Sequence, residues 1–337
     1  WSSDVCSSDL YSPLATLTTG LLKMTETVLN AEVLVLGGGP GGYSAAFRAA
    51  DLGKQVVLIE RFPVLGGVCL NVGRIPSKAL LHAAQIIHEA DEFADHGVSF
   101  GKPNIDINKI KSWKESITKS LNDGLAGLVK QRKVTLIQGT GKFTSANTVT
   151  VETNEGIKTV HFDQAIIAAG SRPTKIPVFP HEDPRLWDST DALQLTEIPK
   201  KLLIVGGGII GLEMATVYHA MGSEISVVEL MDQIIPGCDK DLVTPLARRI
   251  KKQYKNIWLE TKVNSIEALK EGLKVSFEGK NAPESELFDA VLVAVGRKPN
   301  GLLIDAELAG IHVNEQGFIS VDKQQRTNVN HIFAIGD

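Results

Sequence analysis

Cysteine is scarce. Three cysteines in 337 residues, Cys6, Cys69 and Cys238, are too few for a disulfide framework, and a reducing, cytoplasmic setting is expected. There is no basic excess: the net charge is −4, which removes the electrostatic footprint of a nucleic-acid binder. No apolar run approaches the roughly 20 residues that a membrane-spanning helix needs. The histidines make no metal motif, because His82 and His88 miss the i, i+4 spacing, and no metal site is expected. Residues 1–10 hold no Lys or Arg, so the basic start of a signal peptide is missing. Residues 1–23 carry a near-repeat of Ser-Ser-Asp. A vector-derived segment ahead of a native start at Met24 is expected, with a disordered natural tail as the other reading. Cys6 has no function under either.

Glycine, by contrast, is abundant at 31 residues, and much of it is patterned. Residues 31–36, AEVLVL, read as a buried parallel strand. Gly37, Gly39 and Gly42 then match G-x-G-x-x-G, an Ala-rich helix follows to about Leu52, and a second strand ends in Glu60. The logic is a tight turn, a helix N-terminus facing a pyrophosphate, and an acid on a ribose hydroxyl. The unit recurs. Gly206, Gly208, Gly211 and Glu229 each lie 169 residues after their counterparts. A chance glycine match would not also keep the distance to the acid, so two dinucleotide-binding units are expected. Glu229 can accept from a ribose 2′-hydroxyl and repels a 2′-phosphate, and no arginine lies in Val227-Val228-Glu229-Leu230-Met231, so NAD is favoured over NADP.

Between the two units lies residues 65–81, LGGVCLNVGRIPSKALL. Gly66-Gly67 lets backbone approach a flat ligand, Cys69 supplies a thiol, and a helix is expected to begin near Ile75-Pro76-Ser77. Residues 79–132 read as helical, with Ile110, Trp113, Ile117, Leu121, Leu125 and Leu128 on one face of the longer stretch. Short strands are expected at 134–138, 148–153, 159–162 and 164–169, and later at 290–295 and 332–335. Arg248, Arg249, Lys251 and Lys252 read as a solvated helix face, and Cys238 as an incidental loop residue.

Cys69-Leu70-Asn71-Val72-Gly73-Arg74-Ile75-Pro76-Ser77-Lys78 resembles the active-site segment of the dihydrolipoyl dehydrogenases, flavin-disulfide oxidoreductases whose pattern is C-L-N-V-G-C-I-P-S-K. The resemblance runs from about Ala31 to Asp337. It implies an α/β fold of two Rossmann-like domains with parallel sheets, the NAD domain inserted in the FAD domain. Residues 24–171 would form the FAD domain, 172–300 the NAD domain, and 301–337 a return to the first. The family continues into a C-terminal dimerisation domain carrying a His-Glu pair, so the sequence is expected to be a fragment of a homodimer. FAD would be held by Gly37, Gly39, Gly42, Glu60, Gly67, Cys69, Lys78, Gly141 and Asp337. NAD would be held by Gly206, Gly207, Gly208, Ile209, Ile210, Gly211, Glu213, Glu229, Val263, Ala294, Gly296 and Arg297. A plain hairpin glycine is the other reading of Gly141.

In the implied reaction, dihydrolipoamide from the lipoyl group of a 2-oxoacid dehydrogenase acyltransferase reduces an active-site disulfide, and electrons pass through FAD to NAD. Cys69 matches the thiol that exchanges with substrate, and Lys78 and Glu213 match a pair beside the flavin. Arg74 stands where the second thiol belongs, and one sulfur cannot close a dithiol cycle. It also carries a permanent cation towards an apolar flavin pocket, a costly placement unless paired. The chain as written is therefore expected to lack lipoamide turnover and to keep at most NADH-to-dye or NADH-to-oxygen transfer. A soluble pyridine nucleotide transhydrogenase and an inactive scaffold subunit are the alternatives. A sequence error or single mutation at codon 74 is a further reading of Arg74.

Overall fold

A computed structural model describes residues 27–337. The readings made for residues 1–23, Met24 and Cys6 lie outside them. The first unit runs β1 (Thr27–Leu36), α1 (Pro40–Asp51), β2 (Val56–Glu60), α2 (Gly67–Asn71), α3 (Arg74–Glu92), α4 (Ile107–Gln131), β3 (Thr135–Gln138), β4 (Thr140–Ser145), β5 (Thr148–Thr153) and β6 (Gly156–Ile167). The chain crosses on β7 (Ser171–Pro173). The second unit follows as β8 (Leu186–Trp187), α5 (Ser189–Gln194), β9 (Lys201–Val205), α6 (Ile209–Ala220), β10 (Glu224–Val228), α7 (Lys240–Gln253), β11 (Asn256–Trp258), β12 (Lys262–Leu269), β13 (Gly272–Glu278), β14 (Ser285–Phe288) and β15 (Ala290–Val293). The chain returns through β16 (Arg297–Pro299) and ends on β17 (Ile332–Ala334).

The first sheet has the order β3-β2-β1-β6-β5-β4, with β17 also on β6. Its β3-β2-β1-β6-β17 part is parallel, and β4-β5-β6 form an antiparallel meander. The second sheet, β11-β10-β9-β15-β8, is parallel throughout. Strands buried on both faces explain why β2, β9 and β15 read as near-continuous apolar runs. A three-stranded antiparallel sheet, β12-β13-β14, flanks the second unit. The two crossing strands pair with each other, Arg297 opposite Pro173 and Pro299 opposite Ser171.

Three local expectations are corrected. The strands read at 159–162 and 164–169 are one strand, β6, because β1 pairs with it along its whole length from Thr27↔Lys158 to Leu36↔Ile167. Gly141, read as lying between strands, is inside β4, which forms a hairpin with β5. On α4, Trp113 and Leu121 are solvent-exposed, while the buried positions are Lys114, Leu125 and Val129. The aliphatic half of that face packs with Leu65, Leu70 and Phe47. The Lys114 ammonium instead donates to the carbonyl of Leu193 at 2.6 Å.

Candidate functional site

Each glycine loop is built from the same three parts. In the first, Glu60 at the end of β2 is buried; its Oε2 accepts from the Gly38 N–H at 2.7 Å and its Oε1 from the Phe62 N–H at 2.9 Å. In the second, Glu229 repeats this, accepting from Gly207 N–H at 2.7 Å and Met231 N–H at 2.9 Å. The carboxylates thus brace the loops, and each oxygen keeps a lone pair for a ribose hydroxyl. Helices α1 and α6 begin at Gly39 and Gly208 with no side-chain cap. Their first N–H groups are left for an anion, where the helix dipole favours one.

The third glycine of each loop does something else. A Cβ on Gly42 would stand 1.7 Å from the Gly37 carbonyl oxygen, and one on Gly211 2.2 Å from that of Gly206. These glycines let the helix close on its own loop. They and Gly207 lie off the cavity wall.

Both loops open into one cavity of about 1810 Å³. Single ligand clefts run to about 300–1,000 Å³, so this one has room for more than one nucleotide. Gly37, Gly39, Glu60, Gly67, Cys69, Lys78, Gly141 and Asp337 stand on its wall. So do Gly206, Gly208, Ile209, Ile210, Glu213, Glu229, Val263, Ala294, Gly296 and Arg297. Gly141 faces Leu36 and Ile59, where a Cβ would come within 2.7 Å of Leu36 Cδ1. The loop glycines, uncapped helix starts and acids fit two dinucleotides.

Where the units meet, Lys78 of α3 donates to Glu213 Oε1 of α6. The lysine side chain is 61 % exposed, so solvent screens this pair. Cys69 lies half-buried within α2, a five-residue helix that the sequence did not announce. Arg74 is the first residue of α3, on the same wall. Arg74 faces the cavity from there and makes no ion pair among the described residues. The guanidinium of Arg297 donates to Ser171 Oγ at 2.8 Å and to the Ser171 carbonyl at 2.7 Å. Burial lowers its pKa from the ordinary value, with Asp337 and Asp188 opposing the shift.

Some wall residues had no sequence signal. Ser189, at the start of α5, is one of them, and Ser171 and Asn300 join it from the two crossing segments. Arg61 and Phe62 immediately follow Glu60 and stack, guanidinium over ring, at 4.7 Å. Adjacency to the acid could have flagged them. His82, His88 and His96 lie away from the cavity, and His88 pairs with Glu92. Among the described residues no cluster of acidic, histidine and cysteine side chains could hold a metal ion, and no helix is long and apolar enough to cross a membrane.

Residues 31–337 match the family described as pyridine nucleotide-disulphide oxidoreductase. Over 310 residues the chain is 61% identical to a dihydrolipoyl dehydrogenase of Vibrio parahaemolyticus and 56% identical to one of Haemophilus influenzae, covering 92% of this chain and 65% of each relative. A solved structure of the HOCl-induced flavoprotein disulfide reductase RclA from Escherichia coli, as its Cu(II) complex, superposes with a TM-score of 0.81 at 29% identity, covering 91% of this chain and 66% of that one. The chain thus spans about two thirds of the length of these relatives.

Proposed function

The chain belongs to the pyridine nucleotide-disulphide oxidoreductase family, and from that premise we propose that it is an FAD-dependent NADH oxidoreductase whose single cavity thiol, Cys69, cannot complete a dithiol cycle. The observation that carries this reading is the pair of glutamate-braced loops opening into one cavity. Bound FAD supplies the two-electron relay between NADH and an acceptor. The residues around Glu60 would hold the flavin nucleotide and those around Glu229 the nicotinamide nucleotide. Glu229 selects against a 2′-phosphate by charge, and its two backbone donors hold the carboxylate in place to do so. That disfavours the transhydrogenase alternative. Lys78 and Glu213 would set the two units at the distance hydride transfer needs.

The relatives named dihydrolipoyl dehydrogenase suggest dihydrolipoamide, carried on a 2-oxoacid dehydrogenase acyltransferase, as the substrate of the parent activity, and a homodimer as its assembly. In this chain that step lacks its second sulfur, because Arg74 takes its place. The test is direct. Protein reconstituted with FAD is given NADH and dichloroindophenol, then NAD and dihydrolipoamide. Dye reduction without lipoamide turnover is expected. Lipoamide turnover at an ordinary flavoenzyme rate refutes the role given to Arg74, and failure to retain flavin refutes the whole reading in favour of a scaffold.

A further inference from the structure

The chain reverses just before Cys69, at Gly66 (φ +104°) and Gly67 (φ +56°). One side chain spans that reversal. Asn71 Nδ2 donates to the Leu65 carbonyl and to the Gly67 carbonyl, both at 3.0 Å. Both amide hydrogens are then used, which fixes the amide's orientation and turns Oδ1 the other way. There it accepts from Asn122 Nδ2 of α4 at 3.0 Å. Exchanging N and O on either amide would set like dipoles together, so the pair has one consistent arrangement.

Asn122 gains little else. Its own Oδ1 is buried with no partner among the described residues. Its helix neighbours Leu125 and Val129 pack in an apolar cluster with Leu70. A leucine at 122 would extend that cluster and remove the unpaired oxygen. An amide there makes physical sense only for the hydrogen bond it gives to Asn71.

We infer that Asn122 is a positioning residue for the Cys69 thiol, acting through Asn71. Helix α2 is five residues long and has no side-chain cap, so it is marginal by itself. Asn71, its last residue, ties back to its start at Leu65 and Gly67, and Gly73 packs so closely beneath its end that a Cβ there would meet Val68 O at 2.7 Å and Cys69 Cα at 3.3 Å. Releasing Asn71 frees the segment that carries the sulfur, while the apolar contacts of α4 stay in place. The inference rests on Cys69 being the working thiol of the cavity.

The experiment reads that thiol without requiring turnover. The whole chain is treated with 2,2′-dithiodipyridine, and modification at Cys69 is followed by peptide mass spectrometry, with exposed Cys238 as the internal reference. For Asn122→Leu the Cys69-to-Cys238 rate ratio is expected to change about fivefold, the population change that one lost hydrogen bond produces. Thermal stability is expected to stay within about 2 °C of the parent. Asn122→Asp keeps the shape and sets an acceptor against Asn71 Oδ1. Its ratio is expected to depart from the parent's at pH 7 and return to it as the carboxyl protonates, near pH 4, and regains a donor. A ratio within twofold of the parent in Asn122→Leu, or a pH-independent departure in Asn122→Asp, overturns the inference. So does loss of the fold in both variants, which would make the pair purely structural. Absence of flavin or of dye reduction would bear on the proposed function and leave these ratios readable.

Discussion

Glu60 and Glu229 are structural equivalents: each is buried, and each bridges the middle residue of its Gly-Gly-Gly run, Gly38 or Gly207, to the second residue beyond itself. The bridges are charge-assisted, so neutralising either acid weakens two bonds at once. Glu60→Gln is expected to reduce FAD retention and Glu229→Gln to raise KM for NADH, each by about 1–3 kcal/mol of binding. The two effects should not cross over. Flavin content by absorbance and steady-state NADH kinetics, measured on both variants, check this. Glu229→Gln should also narrow the preference for NADH over NADPH.

Arg74→Cys is expected to restore a redox pair with Cys69, since both positions stand on the cavity wall. Thiol titration before and after mild oxidation is the measurement: the variant should lose two titratable thiols on oxidation where the parent loses none. Equal counts in the variant would show that the wall does not bring the two sulfurs within bonding reach.

The glycines separate by what surrounds them. Gly42→Ala forces a methyl against the Gly37 carbonyl and is expected to cost at least about 1–3 kcal/mol and the bound flavin. Gly124→Ala meets nothing within 4 Å on the exposed side of α4 and is expected to stabilise by about 0.5–1 kcal/mol. Denaturant midpoints of the two variants should therefore move in opposite directions.

His219, half-buried beside Tyr254 with ring centroids 5.5 Å apart, predicts a pH dependence. Burial lowers its pKa, His88 adds to this, and a hydrogen bond to the Gln253 backbone opposes it. The folded state thus prefers the neutral ring. This stability is fully present above the unfolded value of about 6.5 and is lost as the pH falls through the lower folded value. His219→Phe should flatten the acid side of a plot of Tm against pH. If parent and variant lose stability in parallel below pH 6.5, another group is responsible.

Both glycine–acid units were legible because their logic is local: each needs only a strand, a turn, a helix and an acid 23 residues after the first glycine. The stripe on α4 was misread because helical periodicity marks an apolar face without saying what opposes it. Trp113 falls beyond the packed surface, whereas Lys114 reaches a carbonyl of α5. The Asn71–Asn122 pair joins residues 51 apart and has no motif. The polar Asp163-Gln164 step hid the continuity of β6, which the sequence of β1 alone could not supply.

The pairing of β7 with β16 has a topological consequence. The second unit leaves and re-enters the first through strands whose Cα partners are neighbours, Arg297 beside Pro173. Antiparallel partners stand about 5 Å apart, so a short turn could join them. The polypeptide is thereby a host with a cassette set into it: the chain can leave for the second unit and come back at nearly the same point, so the strand that completes the host sheet, β17, still finds its place on β6.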